Sequence, residues 1–383
     1  MKIIVVGLGE AGWSLISLLE GSGHDITVID KNRDRVEAVT DRFCVSGVTG
    51  SGASEETLLK AGAGTADILI ALTHTDEINL ISCMQAKAVG TRLCAARLLM
   101  PDLVKEEEEI KKKYGIDLIV KPKVDIAGEI HRNIGLPGYV KLERCADTDL
   151  YVIDLNAVGS SPLIGATVAS IQGKLAEDAK ISVVVRGKRS LKLSDDLEIR
   201  DGDTLYIVVG EANLNKVLKA LSIKRDKTKD VVIVGGHTTG IYLIERLLAD
   251  HMKITVVDDD IDRCRNLMDR FPSVNVIYAE GDITEVLEQE KVEKADAVVS
   301  LTDDDDTNLV ISMYAWSKGI YSVLTRVDKQ VHVKLLHKVN IDITVSPTEY
   351  SVFGLIRFIT TTAHEETDPG AQIVELIRDM RKF

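Results

Sequence analysis

The chain has 383 residues, 45% hydrophobic and 28% charged, enough for two or three globular domains with cores of their own. A formal net charge of −13 and an aromatic content of 4% exclude the basic footprint and the stacking platforms on which nucleic-acid binding rests. Five cysteines (Cys44, Cys83, Cys94, Cys145 and Cys264) form no CxxC pair and are odd in number, and several sit in apolar runs, so most of them read as small buried hydrophobes of a reducing compartment.

The N-terminal MKIIVV is too short an apolar run for a signal peptide and reads as a strand. GLGEAG follows directly, with Gly7, Gly9 and Gly12 at GxGxxG spacing between that strand and a helix. In such a turn the first glycine allows the tight bend and the second admits a pyrophosphate. The third lets helix pack on strand, while the helix N-terminus offers unpaired N–H groups. DITVID then ends on Asp30, where an acid accepts hydrogen bonds from a ribose. Asp30 disfavours a 2′-phosphate, although Lys31 and Arg33 beside it leave NADP open. ADILIAL is a further buried strand, after which Thr73 and His74 fall on the sheet edge that carries the glycine loop. His74 has no legible partner acid or nucleophile, so it reads as a cleft-lining residue and not as a catalyst. Arg97, past the fifth strand, suits either a phosphate contact or an internal ion pair. KEEEEIKKKYG places Glu107, Glu108 and Glu109 four residues before Lys111, Lys112 and Lys113, the pattern of a solvated helix.

Between about 139 and 222 the texture changes. LYVIDLNA, ISVVVRG and TLYIVVG are short β runs separated by turn signals, and NLNKVLKALS reads as a helix capped by Asn213. The span 223–230, IKRDKTKD, reads as a charged linker.

The chain then repeats itself. Laying Gly235 on Gly7, 228 residues apart, brings KITVVD onto DITVID and Asp258 onto Asp30. With one added residue, ADAVVSLTDDDDTNL meets ADILIALTHTDEINL, and Arg326 meets Arg97. Both copies alternate continuously apolar strands with amphipathic helices. The expected fold is therefore α/β, two Rossmann-like doubly wound parallel-sheet domains with a small α+β module between them. The second fingerprint, GGHTTG, keeps Gly235 and Gly240 but carries His237 at the middle glycine, where an imidazole crowds the pyrophosphate path. Gly236 does not restore that gap. Asp282, after the third strand of this copy, reads as a base or ribose contact. The DDDD run at 303–306 lacks the glycine and distant glutamate of a calcium loop and reads as helix capping.

These motifs together resemble the RCK (KTN) domain family. GLGEAG, ITVID and GSGASEETLLKAGAGTADILIALTHTDEINL are similar to its nucleotide-binding half, and SSPLIGATV, ISVVVRG and LEIRDGDTLYIVVG to its C-terminal module. The resemblance runs from residue 1 to about 360 in the duplicated arrangement of TrkA-type regulators. It implies a first nucleotide-binding domain at 1–138, a C-terminal-type domain at 139–222, the linker at 223–230, a second nucleotide-binding domain at 231–360 and a tail at 361–383. A second C-terminal module is not legible in that tail.

By the same resemblance the clefts take NAD(H) or ATP/ADP. The first consists of Gly7, Leu8, Gly9, Glu10, Ala11, Gly12, Asp30, Ser51, Thr73, His74 and Arg97. The second consists of Gly235, Gly236, His237, Gly240, Asp258, Asp282 and Arg326. The implied partners are a TrkH-like integral membrane potassium channel subunit and further copies of the chain, as a dimer or tetrameric ring. The implied location is cytoplasmic, peripheral on the inner face of the membrane, and no metal is implied. An NAD-dependent oxidoreductase is the weaker reading, because 139–222 contains no histidine and no acid–base constellation. A regulator of another cation transporter with the same domains stays open.

Overall fold

The computed structural model describes residues 1–363 apart from 146–148, 160, 188, 281–282, 290–291, 330–331, 333–334 and 337–343. Asp282 and the tail beyond residue 363 therefore lie outside the described residues.

The first half forms one six-stranded sheet from β1 (Lys2–Val6), β2 (Asp25–Asp30), β3 (Ser46–Thr49), β4 (Ile68–Ala71), β5 (Leu93–Arg97) and β6 (Leu118–Val120). Its order is β3-β2-β1-β4-β5-β6 and every pairing is parallel. The second half repeats this with β12 (Asp230–Val234), β13 (Lys253–Asp258), β14 (Asn275–Tyr278), β15 (Ala297–Ser300), β16 (Ser322–Arg326) and β17 (Thr344–Val345), in the order β14-β13-β12-β15-β16-β17. Even the register repeats: Lys2 pairs with Asp25, and Asp230 with Lys253. Strand order reverses beside the central strand in each sheet, which opens a crevice at its carboxyl end.

Between the halves lies an antiparallel sheet of β7 (Val140–Arg144), β8 (Leu150–Ala157), β9 (Lys180–Arg186), β10 (Arg189–Leu191) and β11 (Asp203–Gly210), ordered β10-β9-β11-β8-β7. Its core is built from Leu142, Ile153, Val184, Leu205 and Ile207. The short helix Leu214–Ala220 has Asn213 at its N-cap, but that side chain makes no capping bond. It donates instead to Asp178 at 2.9 Å.

The two halves exchange helices. The helix Pro122–Asn133, which follows the first sheet, buries Ile126, Ala127 and Ile130 among Val231, Ile233 and Leu243 of the second. The helix Pro347–Ala363, which follows the second sheet, buries Val352, Leu355, Ile356 and Ile359 among Ile3, Val5 and Leu15 of the first. The spacing of that second set, i, i+3, i+4, i+7, is one face of a helix, and the equivalent face of its own half, Val231, Ile233 and Leu243, is already covered by Pro122–Asn133. The span 1–138 thus supplies the first sheet while its last helix completes the other core. Tyr350 donates a hydrogen bond to the buried Glu129 where the two exchanged helices meet. The linker is stitched down as well as charged: Arg225 donates to the carbonyls of Arg132 and Ile134 at 2.7 and 3.2 Å. No helix among the described residues is long and apolar enough to cross a membrane.

Candidate functional site

In the first half the crevice is organised by Asp30. Its Oδ2 accepts from the Leu8 amide at 2.7 Å and its Oδ1 from the Asn32 amide at 2.8 Å, so the carboxylate clamps the glycine loop to the end of β2. Each oxygen keeps acceptor capacity for another partner. Arg35, one turn into the next helix, is exposed and leaves the acid alone.

The three glycines have separable duties. Gly7 has φ +96°, and a Cβ there would stand 2.8 Å from the Thr73 amide. A Cβ on Gly12 would stand 2.1 Å from the Gly7 carbonyl oxygen, so this glycine permits helix-on-strand contact. Gly9 has φ −75°, which any residue adopts, and a Cβ there would meet only the His74 imidazole, at 3.2 Å. Gly9 is also the N-cap of the helix Glu10–Leu19 and offers no side-chain cap, so the first-turn amides face the crevice uncapped. Leu8 and Ala11 are buried beneath the loop, while Glu10 and Ser51 are exposed at the rim.

The opposite wall is the loop after β4. Thr73 is held through its amide and hydroxyl, which both donate to the buried Asn79 Oδ1 at 2.8 and 2.7 Å. Arg97 is turned inward. Its guanidinium donates to the carbonyls of Leu72 and Thr73, and burial lowers its pKa against the opposing charge of Asp76. It supports the loop from beneath. The structure thus brings Gly7, Gly9, Asp30, Thr73 and His74 to one sheet edge, and sets Arg97 behind them.

The second half repeats this frame. Gly235 has φ +101°, and a Cβ on Gly240 would stand 2.6 Å from the Gly235 carbonyl oxygen. Thr302 donates to Asn308 Oδ1 as Thr73 does to Asn79. A cleft of 820 Å³ opens here, lined among others by His237, Asp258, Arg263, Thr284 and Asp303. Its acid is engaged differently. Asp258 clamps the Gly236 and Asp260 amides at 2.6 and 2.9 Å and also receives Arg263 Nε at 2.8 Å, with 1% of its side chain exposed. Arg263 Nη1 donates on to His237 Nδ1 at 3.1 Å. Although burial works against it, the hydrogen bond and charge of Asp258 hold the Arg263 pKa above its ordinary value. His237 Nε2 stands 3.6 Å from Asp303, which is bonded by Arg326. Burial opposes ionisation of Asp303, but the hydrogen bond and charge of Arg326, with the exchanged helix's Lys123, hold its pKa below the ordinary carboxylate value.

The DDDD run divides into four tasks. Asp303 pairs with Arg326, Asp304 caps the following helix by accepting from the Thr307 amide at 2.9 Å, Asp305 receives the Asp328 and Lys329 amides, and Asp306 pairs with Lys329. Five positioning residues lie outside the glycine and acid motifs: Asn79 and Asn308, Asp76 and Asp305, and Arg263. For the first two pairs the signal was present, because D-x-x-N-L recurs at 76–80 and 305–309. For Arg263 it was absent, since Arg35 occupies the equivalent place and forms no such bridge.

A family model described as the TrkA-N domain matches residues 3–122 and 231–347, and one described as the TrkA-C domain matches 157–222. The Trk system potassium uptake protein TrkA of Halomonas elongata is 28% identical, the alignment covering 98% of this chain and 84% of that protein. A TrkA homolog of Archaeoglobus fulgidus is 27% identical, covering 100% and 87%. Among solved structures, the GsuK channel superposes with a TM-score of 0.71 at 17% identity, covering 94% of this chain and 64% of that one. A GsuK channel bound to NAD gives 0.69 at 18% identity with the same coverages.

Proposed function

Because the chain belongs to the TrkA-N domain family, we propose that it is a nucleotide-binding regulatory subunit of a Trk-type potassium uptake system. The observation that carries this reading is the first crevice: uncapped helix amides behind Gly9, beside an Asp30 carboxylate that bonds backbone amides and retains capacity for a ribose. The ligand class is NAD(H) first and ATP or ADP second. The NAD-bound and ADP-bound forms of the GsuK channel support a nucleotide of this kind.

The site binds without turning its ligand over. What supports this reading is that, among the described residues, no acid or nucleophile is hydrogen-bonded to His74 to make it half of an acid–base pair. What it supplies is a conformational bias. A ligand that binds one arrangement of the two halves more tightly than another shifts their populations, and the exchanged helices give that shift a mechanical route from one core to the other. We place the subunit as a homo-oligomer on the cytoplasmic face of an integral membrane potassium channel subunit.

Calorimetric titration with NAD⁺, NADH, ATP and ADP tests the reading. Saturable heat with at least one of them is expected. Silence toward all four, matched by an unchanged melting temperature, removes it.

A further inference from the structure

The second cleft has room for a nucleotide, but its anchors are already engaged. Its 820 Å³ falls within the roughly 300–1,000 Å³ of small-molecule sites, so size excludes nothing. The two fingerprints differ only in what a ligand needs and agree in what the fold needs. Gly7 and Gly235 share a positive φ that side chains rarely adopt, and Gly12 and Gly240 each face a carbonyl oxygen that a Cβ would strike. Both of these glycine positions are kept. Gly9 and His237 share an extended backbone, φ −75° and −65°, that any residue tolerates, so only an approaching ligand requires glycine there. That glycine alone is replaced, and its replacement is wired in. His237 accepts from Arg263, Arg263 saturates Asp258, and His237 faces Asp303 on the opposite wall.

We propose that His237 and Arg263 fill the dinucleotide anchors of the second cleft from within, so that only the first cleft answers to NAD(H). The proposal rests on the first cleft being the nucleotide site. The guanidinium takes the carboxylate capacity that a ribose diol uses, and the imidazole stands in the pyrophosphate path. The walls add a second barrier, because Asp259, Asp303, Asp304 and Asp306 line the cleft and repel a polyanion. The second half is thereby held in order by its own side chains, and one chain carries one responsive half and one internally latched half. Arg263 has further acceptors that Arg35 lacks, His237 where the first copy has Gly9, and Asp259 and Asp260 where it has Lys31 and Asn32.

The test counts NADH bound per chain by calorimetry in the full-length protein. The expected counts are one for the wild type, none for Gly9→Asp, two for His237→Gly/Arg263→Ala, and one when all three changes are combined. Two per wild-type chain, with one surviving Gly9→Asp, overturns the inference. So does an unchanged count in His237→Gly/Arg263→Ala when thermal unfolding shows the fold intact. No binding by the wild type but one NADH bound by His237→Gly/Arg263→Ala removes the proposed function and leaves the latch standing. No binding by either overturns both. If His237→Gly/Arg263→Ala does not fold, the reverse graft decides. Gly9→His/His74→Asp transplants the second arrangement into the first cleft and is expected to weaken NADH there by about 100-fold. Unchanged affinity overturns the latch.

Discussion

The two clefts share strand order, register, clamped acid and loop-holding asparagine, yet they differ in how their carboxylate spends its last lone pairs. Asp30 bonds two backbone amides, whereas Asp258 bonds two amides and a guanidinium. The frame is a property of the backbone, which a tandem repeat copies faithfully. The occupancy of the frame depends on side chains that can change without disturbing it. One sheet edge can therefore be kept as a ligand site while its twin becomes a structural joint.

The largest effect sharpens how far the halves are separate at all. Ile130→Ala removes a fully buried side chain from the first half's last helix and is expected to cost about 3 kcal/mol. Hydrogen exchange should show the loss in β12 and β13, which lie in the second half, and Leu355→Ala should loosen β1 and β2 in the same way. Loss confined to each helix's own half breaks the exchanged-core description.

Gly9→Asp attacks the first cleft alone. The backbone there accepts a side chain and a Cβ meets only the exposed His74 ring, so the fold should persist. NADH binding should nevertheless weaken by about 100-fold or more, roughly 2.7 kcal/mol. A calorimetric isotherm matching the wild type would show that the ligand sits elsewhere.

Arg263→Ala strands a buried carboxylate and should lower stability to denaturant by about 2 kcal/mol, short of the full cost of breaking a buried pair because Arg263 is 23% exposed. Arg35→Ala, its equivalent in the first copy, should change stability by less than about 0.5 kcal/mol. Equal losses would erase the contrast between the clefts.

The smallest effect concerns pH. Burial pushes Asp125, on the first exchanged helix, up to about 6 from an ordinary 3.8. The folded chain then holds this proton more tightly than the unfolded chain. Stability from this group is full below about pH 4 and declines as pH rises through 6. Asp125→Asn should flatten that decline and gain about 1 kcal/mol at pH 7. The equivalent position in the other exchanged helix is Tyr350, 225 residues on, which carries no charge at these pH values, so the slope should arise from the first helix only. A slope unchanged by Asp125→Asn assigns it to other groups such as the buried Glu129.

Much of the first cleft was legible before any coordinate. Gly7, Gly9, Gly12 and Asp30 sit at distances in sequence set by one strand, one turn and one helix, and local geometry carries them to a common edge. Arg97 was legible as a cation near that edge but not as one facing inward, because its direction depends on the carbonyls of Leu72 and Thr73, brought in by another strand. The linker was legible as charged, and its anchoring by Arg225 was not.

The sequence alone determined the duplication, the two doubly wound sheets with a β module between them, and the diverged glycine at 237. These follow from apolar periodicity and from backbone requirements that act within a few residues. Only the tertiary structure decided that the last helix of each half belongs to the other's core, and that Arg263 closes on Asp258 while, among the described residues, Arg35 makes no such bridge. An apolar stripe states that it must be buried but not against what, and an arginine takes whichever acceptors packing brings within reach. Both outcomes rest on contacts between segments far apart in the chain.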